Sequence, residues 1–246
     1  MDKQLTTATR TLNTNNIIKY EDCIKYAAYN TRLPSEFSIY KKKSNITTDS
    51  SIKAVLNKVS DSNYKALAEE LLNLDIDTDQ QQAKLAQIIF DKAISERKFI
   101  KAFINLCSEL LDLGEPFKNN LLIKCQTTFE KIVNNKLDDL FMTKDQITGF
   151  FGLLGGFYNT DILVEKIAYA ILFMLLDKWT TVTSHPIECI CVYLKSIGEK
   201  FYKNNPKEFN NCFSKLDIII NNPKIATKDK FMIQDIIDFK KMWMKK

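Results

Sequence analysis

From residue 51 onward the apolar side chains recur at helical spacing almost without interruption, and this periodicity constrains the fold more than any other feature of the chain. The clearest stretch is Phe99, Ala102, Phe103, Leu106, Leu110 and Leu113, whose spacing places all six on one face of a helix. Similar stripes run through Ile52, Val55, Leu56 and Val59, then Tyr64, Leu67, Leu71 and Leu74, then Ala86, Ile89, Phe90 and Ala93, and then Phe117 to Ile132. The second half continues with Ile147, Phe150, Phe151 and Leu154, and with a largely apolar helix from Asp161 to Asp177. Further stripes follow at Ile187 to Phe201, at Phe209 to Ile220, and at Phe231, Ile236 and Ile237. Strands have almost no foothold here. The expected fold is all-α, with ten helices in five antiparallel pairs.

The breaks agree with that count. Pro186 with Glu188 supplies the proline and acid of a first helical turn, Gly114 and Pro116 separate another pair, and Pro206 and Pro223 fall in the gaps before the last two helices. Helical hairpins spaced roughly 40 residues apart have the period of HEAT and armadillo repeats, in which each hairpin buries one face only by stacking on its neighbours. The expected architecture is therefore an α-solenoid, a crescent that offers extended surfaces for holding partners. A compact helical bundle fits the same periodicity.

Residues 1–50 read differently. They are Thr- and Asn-rich at the start, with a short possible helix from Tyr20 to Tyr29, then Pro34, the run Lys41 to Lys43 and a Ser/Thr cluster. We expect a partly disordered or partner-docking extension over 1–50 and a helical-repeat domain over 51–246. The formal charge of +5 is concentrated at the ends, with seven basic and three acidic residues in 221–246, while the middle is nearly neutral. Basic ends attract polyanions by counterion release. The first 20 residues lack an apolar signal core, and the run Ile167 to Leu176 is far shorter than the roughly 20 residues of a bilayer span. The expected setting is the cytoplasm, or a host's cytoplasm for a virally encoded chain, with no membrane partner.

Catalytic chemistry is hard to assemble from these residues. Six cysteines form no C-x-x-C pair, and with His185 the sole imidazole no zinc ligand set is evident. His185 precedes Pro186, which suits a helix boundary better than a general base. Gly149, Gly152, Gly155 and Gly156 lack the following G-K-[ST] of a phosphate loop, and close helix packing or a turn explains them better. Adjacent acids such as Asp138 and Asp139 point about 100° apart on a helix and do not converge. Trp179 and Trp243 read as hydrophobic caps at helix ends, with base stacking the alternative. We expect no catalytic site, metal or cofactor.

Several stretches carry a family resemblance. Phe90-Asp-Lys-Ala-Ile-Ser-Glu96, continuing through Phe99 to Asn105-Leu-Cys107, resembles the second repeat of the middle domain of eukaryotic translation initiation factor 4 gamma. Leu56-Asn-Lys-Val59 with Tyr64 is similar to that domain's opening helices, and Phe117 to Glu130 to its third repeat. Glu188 to Lys200 resembles the fourth repeat, and Lys230-Phe-Met-Ile-Gln-Asp-Ile-Ile-Asp238 the closing one. Together these cover about residues 51–243, in order.

The resemblance implies a scaffold that grips a DEAD-box helicase of the initiation factor 4A type. Carried over residue by residue, Leu56, Asn57, Lys58 and Tyr64 would meet one helicase lobe, and Phe231, Gln234, Asp235, Asp238 and Lys240 the other. Lys240 stands where the family pattern has Arg, and an ammonium cannot make the forked contact of a guanidinium. The family's long insertion is here only Asn134 to Lys144. Lys118, Lys124, Lys224, Lys228 and Lys230 are the candidate mRNA contacts. The cap-binding peptide pattern is missing, since Tyr40 is followed five residues on by Asn45, so a cap-binding protein would dock on residues 17–40 by another sequence. Two alternatives stay open: a related scaffold of mRNA decay, splicing or ribosome biogenesis, and a stand-alone RNA-binding repeat protein.

Overall fold

A computed structural model describes residues 45–134, 142–181 and 185–245 of the 246. All of them lie within the unit Glu36–Lys246. The expected helix at Tyr20 to Tyr29, the docking segment 17–40 and most of the expected 1–50 extension lie outside the described residues.

Ten α-helices make up the described residues: α1 (Asn45–Leu56), α2 (Tyr64–Leu72), α3 (Asp79–Ser95), α4 (Ile100–Glu109), α5 (Glu115–Val133), α6 (Lys144–Asn159), α7 (Glu165–Asp177), α8 (Pro186–Asn204), α9 (Pro206–Ile220) and α10 (Thr227–Trp243). No strand occurs among them. Helix α1 begins six residues before the boundary expected at 50/51.

Local chemistry sets where these helices start. Thr78 and Gln81 form a capping box at α3, and Thr143 and Gln146 form one at α6, each side chain satisfying a backbone N–H of the other residue. The Asn205 side chain accepts from the Glu208 N–H at the start of α9, where Pro206 is the first helical residue rather than part of a preceding gap. His185 occupies the N-cap position of α8. The stripe expected to run as one helix from Phe99 to Leu113 instead bends twice. A 3₁₀ turn at Arg97–Phe99 enters α4, a second at Leu110–Leu113 leaves it, and Gly114 at φ 100° ends the segment. That φ is one a side chain with Cβ rarely adopts.

Packing follows a ladder. The even helices form one unbroken layer, α2 on α4, α4 on α6, α6 on α8 and α8 on α10, with the last two contacts the most extensive. In the other layer α1 packs on α3 and α3 on α5, while α7 packs on α9, but α5 and α7 make no comparable contact. No substantial contact joins helices more than three apart in the chain, so the first and last pairs do not close on each other. This is the neighbour-only packing of an α-solenoid.

Helix α6 is the centre of the array because its glycines let it approach three other helices. A Cβ on Gly155 would lie 2.5 Å from Ser196 Cβ on α8, and one on Gly149 would lie 2.8 Å from the Ile94 carbonyl of α3. Phe150, Phe151 and Phe157 fill the space around them and are fully buried. Five described cysteines, Cys107, Cys125, Cys189, Cys191 and Cys212, are buried thiols. Beyond α6, Asp161 adopts φ 60°, and the Lys200 ammonium ties this turn to α8 by donating to the Tyr158 carbonyl (2.8 Å) and the Asp161 carboxylate.

Candidate functional site

The expected partner contacts fall on two separate surfaces. The first is the turn between α1 and α2. Leu56 is fully buried and belongs to the core, so its side chain offers nothing to a partner. Asn57 and Lys58 are exposed and Tyr64 is half-buried. Asn63 holds them together, its Nδ2 donating to the Lys58 carbonyl (2.7 Å) while its Oδ1 accepts from the Ser60 N–H (2.8 Å). This bracing residue went unnoticed in the sequence, although an Asn immediately before a helical stripe is a turn signal.

The second surface is α10. Ile233, Ile236 and Trp243 face inward and are buried. At about 100° per residue, Phe231, Gln234, Asp235, Asp238 and Met242 all lie on the opposite, outward side. Phe231 is 68% exposed and Met242 58%. Phe231 therefore belongs to the surface, not to the apolar stripe in which its spacing had placed it. Met242 was missed as a surface residue, although it sits eleven positions, close to three turns, from Phe231. Asp238 pairs with Lys241 (2.8 Å), both exposed, an ion pair that contributes little to stability. The result is an apolar and acidic strip that the fold itself does not use.

Lys240 does not join this strip. It lies half a turn away around α10, and its ammonium sits 4.5 Å from the centre of the Phe213 ring and 5.9 Å from that of Phe209, both on α9. The other lysines also divide. Lys224, Lys228 and Lys230 are exposed near the start of α10, whereas Lys118 is half-buried on α5. Lys124 is held 3.8 Å from the Asp91 carboxylate and over the Phe90 ring. Among the described residues no group of three or more His, Cys, Asp or Glu side chains converges as metal ligands would, and no helix is long and apolar enough to cross a membrane.

The family model for the MIF4G domain matches residues 50–242. The chain belongs to the MIF4G domain family. Eukaryotic translation initiation factor 4G of Cucumis melo is 27% identical over 224 residues, which is 79% of this chain and 12% of that protein. Eukaryotic translation initiation factor 4 gamma 1 of Mus musculus is 26% identical over 230 residues, 77% of this chain and 14% of that protein. The chain thus spans a small fraction of the length of these relatives. The crystal structure of the MIF4G domain of Trypanosoma cruzi translation initiation factor EIF4G5 superposes with a TM-score of 0.54 at 18% identity, covering 80% of this chain and 96% of that one. In this MIF4G domain the matched span runs from the middle of α1 to the last turn of α10, so both candidate surfaces fall within it.

Proposed function

We propose that this MIF4G domain is a translation initiation scaffold that binds a DEAD-box helicase of the initiation factor 4A type and contacts mRNA. The observation that carries the reading is the outward strip of α10, where a large exposed aromatic, Phe231, lies within one to two turns of Asp235 and Asp238. A solvated helix needs no Phe there, and exposed apolar side chains at either end of an acidic stretch, Phe231 and Met242 around Asp235 and Asp238, make a mixed patch suited to binding another protein. The α1–α2 turn, with Asn57, Lys58 and Tyr64, is the second contact. A scaffold that touches both lobes of a motor favours their closed arrangement by its differential affinity, and so raises ATP turnover without chemistry of its own. The exposed Lys224, Lys228 and Lys230 are the mRNA contacts in this reading. Lys124, occupied by Asp91 and Phe90, is the least available of the five lysines.

The test is a pull-down and an RNA-stimulated ATPase assay with initiation factor 4A and several paralogous DEAD-box helicases. Binding and stimulation by initiation factor 4A are expected, and Asp235→Lys with Asp238→Lys should abolish both while circular dichroism stays unchanged. Stimulation of a different paralogue alone would point instead to a scaffold of mRNA decay, splicing or ribosome biogenesis. Binding to none, with RNA affinity intact, would leave the stand-alone RNA-binding reading.

A further inference from the structure

Gly198 is buried in the interior of α8, where a glycine weakens the helix and a larger residue would ordinarily stand. The room it leaves is taken by the indole of Trp243, the last residue of α10. A Cβ on Gly198 would fall 2.5 Å from Trp243 Cζ3 and 2.6 Å from Cζ2, and closer still to Cη2. Carbon atoms do not approach one another so closely, so only a bare α-carbon can seat this ring. The ring is also held from its other sides. Trp243 is 7% exposed, the Phe239 ring stacks on it at 6.0 Å between centroids, and the Phe209 ring meets it edge-on at 6.1 Å. A methyl at position 198 would therefore displace the indole together with the helix that carries it.

Two other contacts lie on the same side of α8. The Cys191 thiol donates to the Met232 carbonyl (3.5 Å), and the Lys195 ammonium sits 5.0 Å from the centre of the Phe239 ring. Positions 191, 195 and 198 follow one face of α8, and 232, 239 and 243 follow one face of α10 in the same chain direction. The two helices thus run parallel along this seam. A thiol is a weak donor, and the ammonium belongs to an exposed side chain, so both of these contacts yield readily. The indole against bare backbone does not. It fixes the distance of α10 from α8 and the rotation of α10 about its own axis.

That rotation matters because the strip of Phe231, Asp235, Asp238 and Met242 rides on the outward side of the same helix, with Met242 next in sequence to Trp243. We infer that Gly198 is the positioning residue of this strip: by seating Trp243 it fixes the direction in which α10 presents those four side chains to a partner, although it is itself buried. The inference deepens the helicase reading and rests on it for the identity of the partner.

Hydrogen exchange of the full chain and its affinity for initiation factor 4A, measured side by side, test this assignment. Gly198→Ala should speed exchange of the α10 amides about tenfold, leave those of α3 and α5 unchanged, and weaken helicase binding about tenfold. Gly155→Ala controls for a merely structural effect. It crowds Ser196, which lies on the side of α8 roughly opposite Gly198, and so overpacks the α6–α8 contact while leaving the seat intact. Well below its melting temperature that variant should keep helicase affinity within about twofold of the natural chain. In a Trp243→Leu chain, where no indole meets residue 198, adding Gly198→Ala should change α10 exchange little further. Unchanged α10 exchange in Gly198→Ala, additive effects of the two substitutions, or an equal loss of affinity in Gly155→Ala would overturn the assignment. A natural chain that binds no helicase would remove the partner proposed above, and the exchange comparison would still decide whether Gly198 seats α10.

Discussion

Gly155 shows how much a single hydrogen decides in this fold. An added Cβ would press on Ser196 Cβ, which is fixed to the α8 backbone and has no room to swing aside. Ala is better than Gly within a helix by about 1 kcal/mol, but overpacking of this kind costs about 1–3 kcal/mol, so the contact wins. Gly155→Ala should lower the melting temperature by several degrees, measurable by calorimetry, although helix propensity alone predicts a gain. The buried thiols give a second expectation. Burial pushes Cys107 and Cys191 up to about 12, and Cys125 and Cys212 up as well, whereas in the unfolded chain a thiol ionises near 8.5. The unfolded state therefore releases these protons first. Their stabilising effect is complete below about pH 8.5 and is lost as pH rises from there toward 12. The urea midpoint should fall across that interval and fall less in a Cys107→Ala chain.

Phe231 and Ile233 make the contrast at the scale of a helix. Both are large and apolar and stand two positions apart on α10, but one is 68% exposed and the other fully buried. Phe231→Ala should leave the melting temperature within a degree or so and weaken helicase binding. Ile233→Ala should cost about 2–5 kcal/mol of stability, read by urea denaturation. Apolar spacing made α10 legible as a helix, yet it could not separate these two residues, because i and i+2 lie on different sides and only the position of α8 says which side is inside. The same limit explains Leu56. A family resemblance names it with Asn57 and Lys58, but the packing of α1 on α3 turns it inward. The bends around α4 were hidden for another reason. A 3₁₀ turn keeps apolar residues at three-residue spacing, so the stripe from Phe99 to Leu113 looks continuous through both of them. The number and order of the helices among the described residues, and the close-packing role of the α6 glycines, were readable from the sequence.

At the scale of the whole molecule, neighbour-only packing distributes stability unevenly. Helices α6 and α8 share the most extensive contact and each touches several others, whereas α1 is held by α2 and α3. Native-state hydrogen exchange should therefore find the slowest amides in α6 and α8, with α1 opening at markedly lower free energy. Uniform protection across all ten helices would contradict the linear arrangement. The interruption between α5 and α7 has a mechanical meaning as well. A beam resists bending in proportion to the depth of material on either side of its midline, and among the described residues one of those sides is thinned at α6. Curvature imposed by a load on the two ends will concentrate there, so that the array flexes as two stiff arms about the glycine-rich helix that joins them.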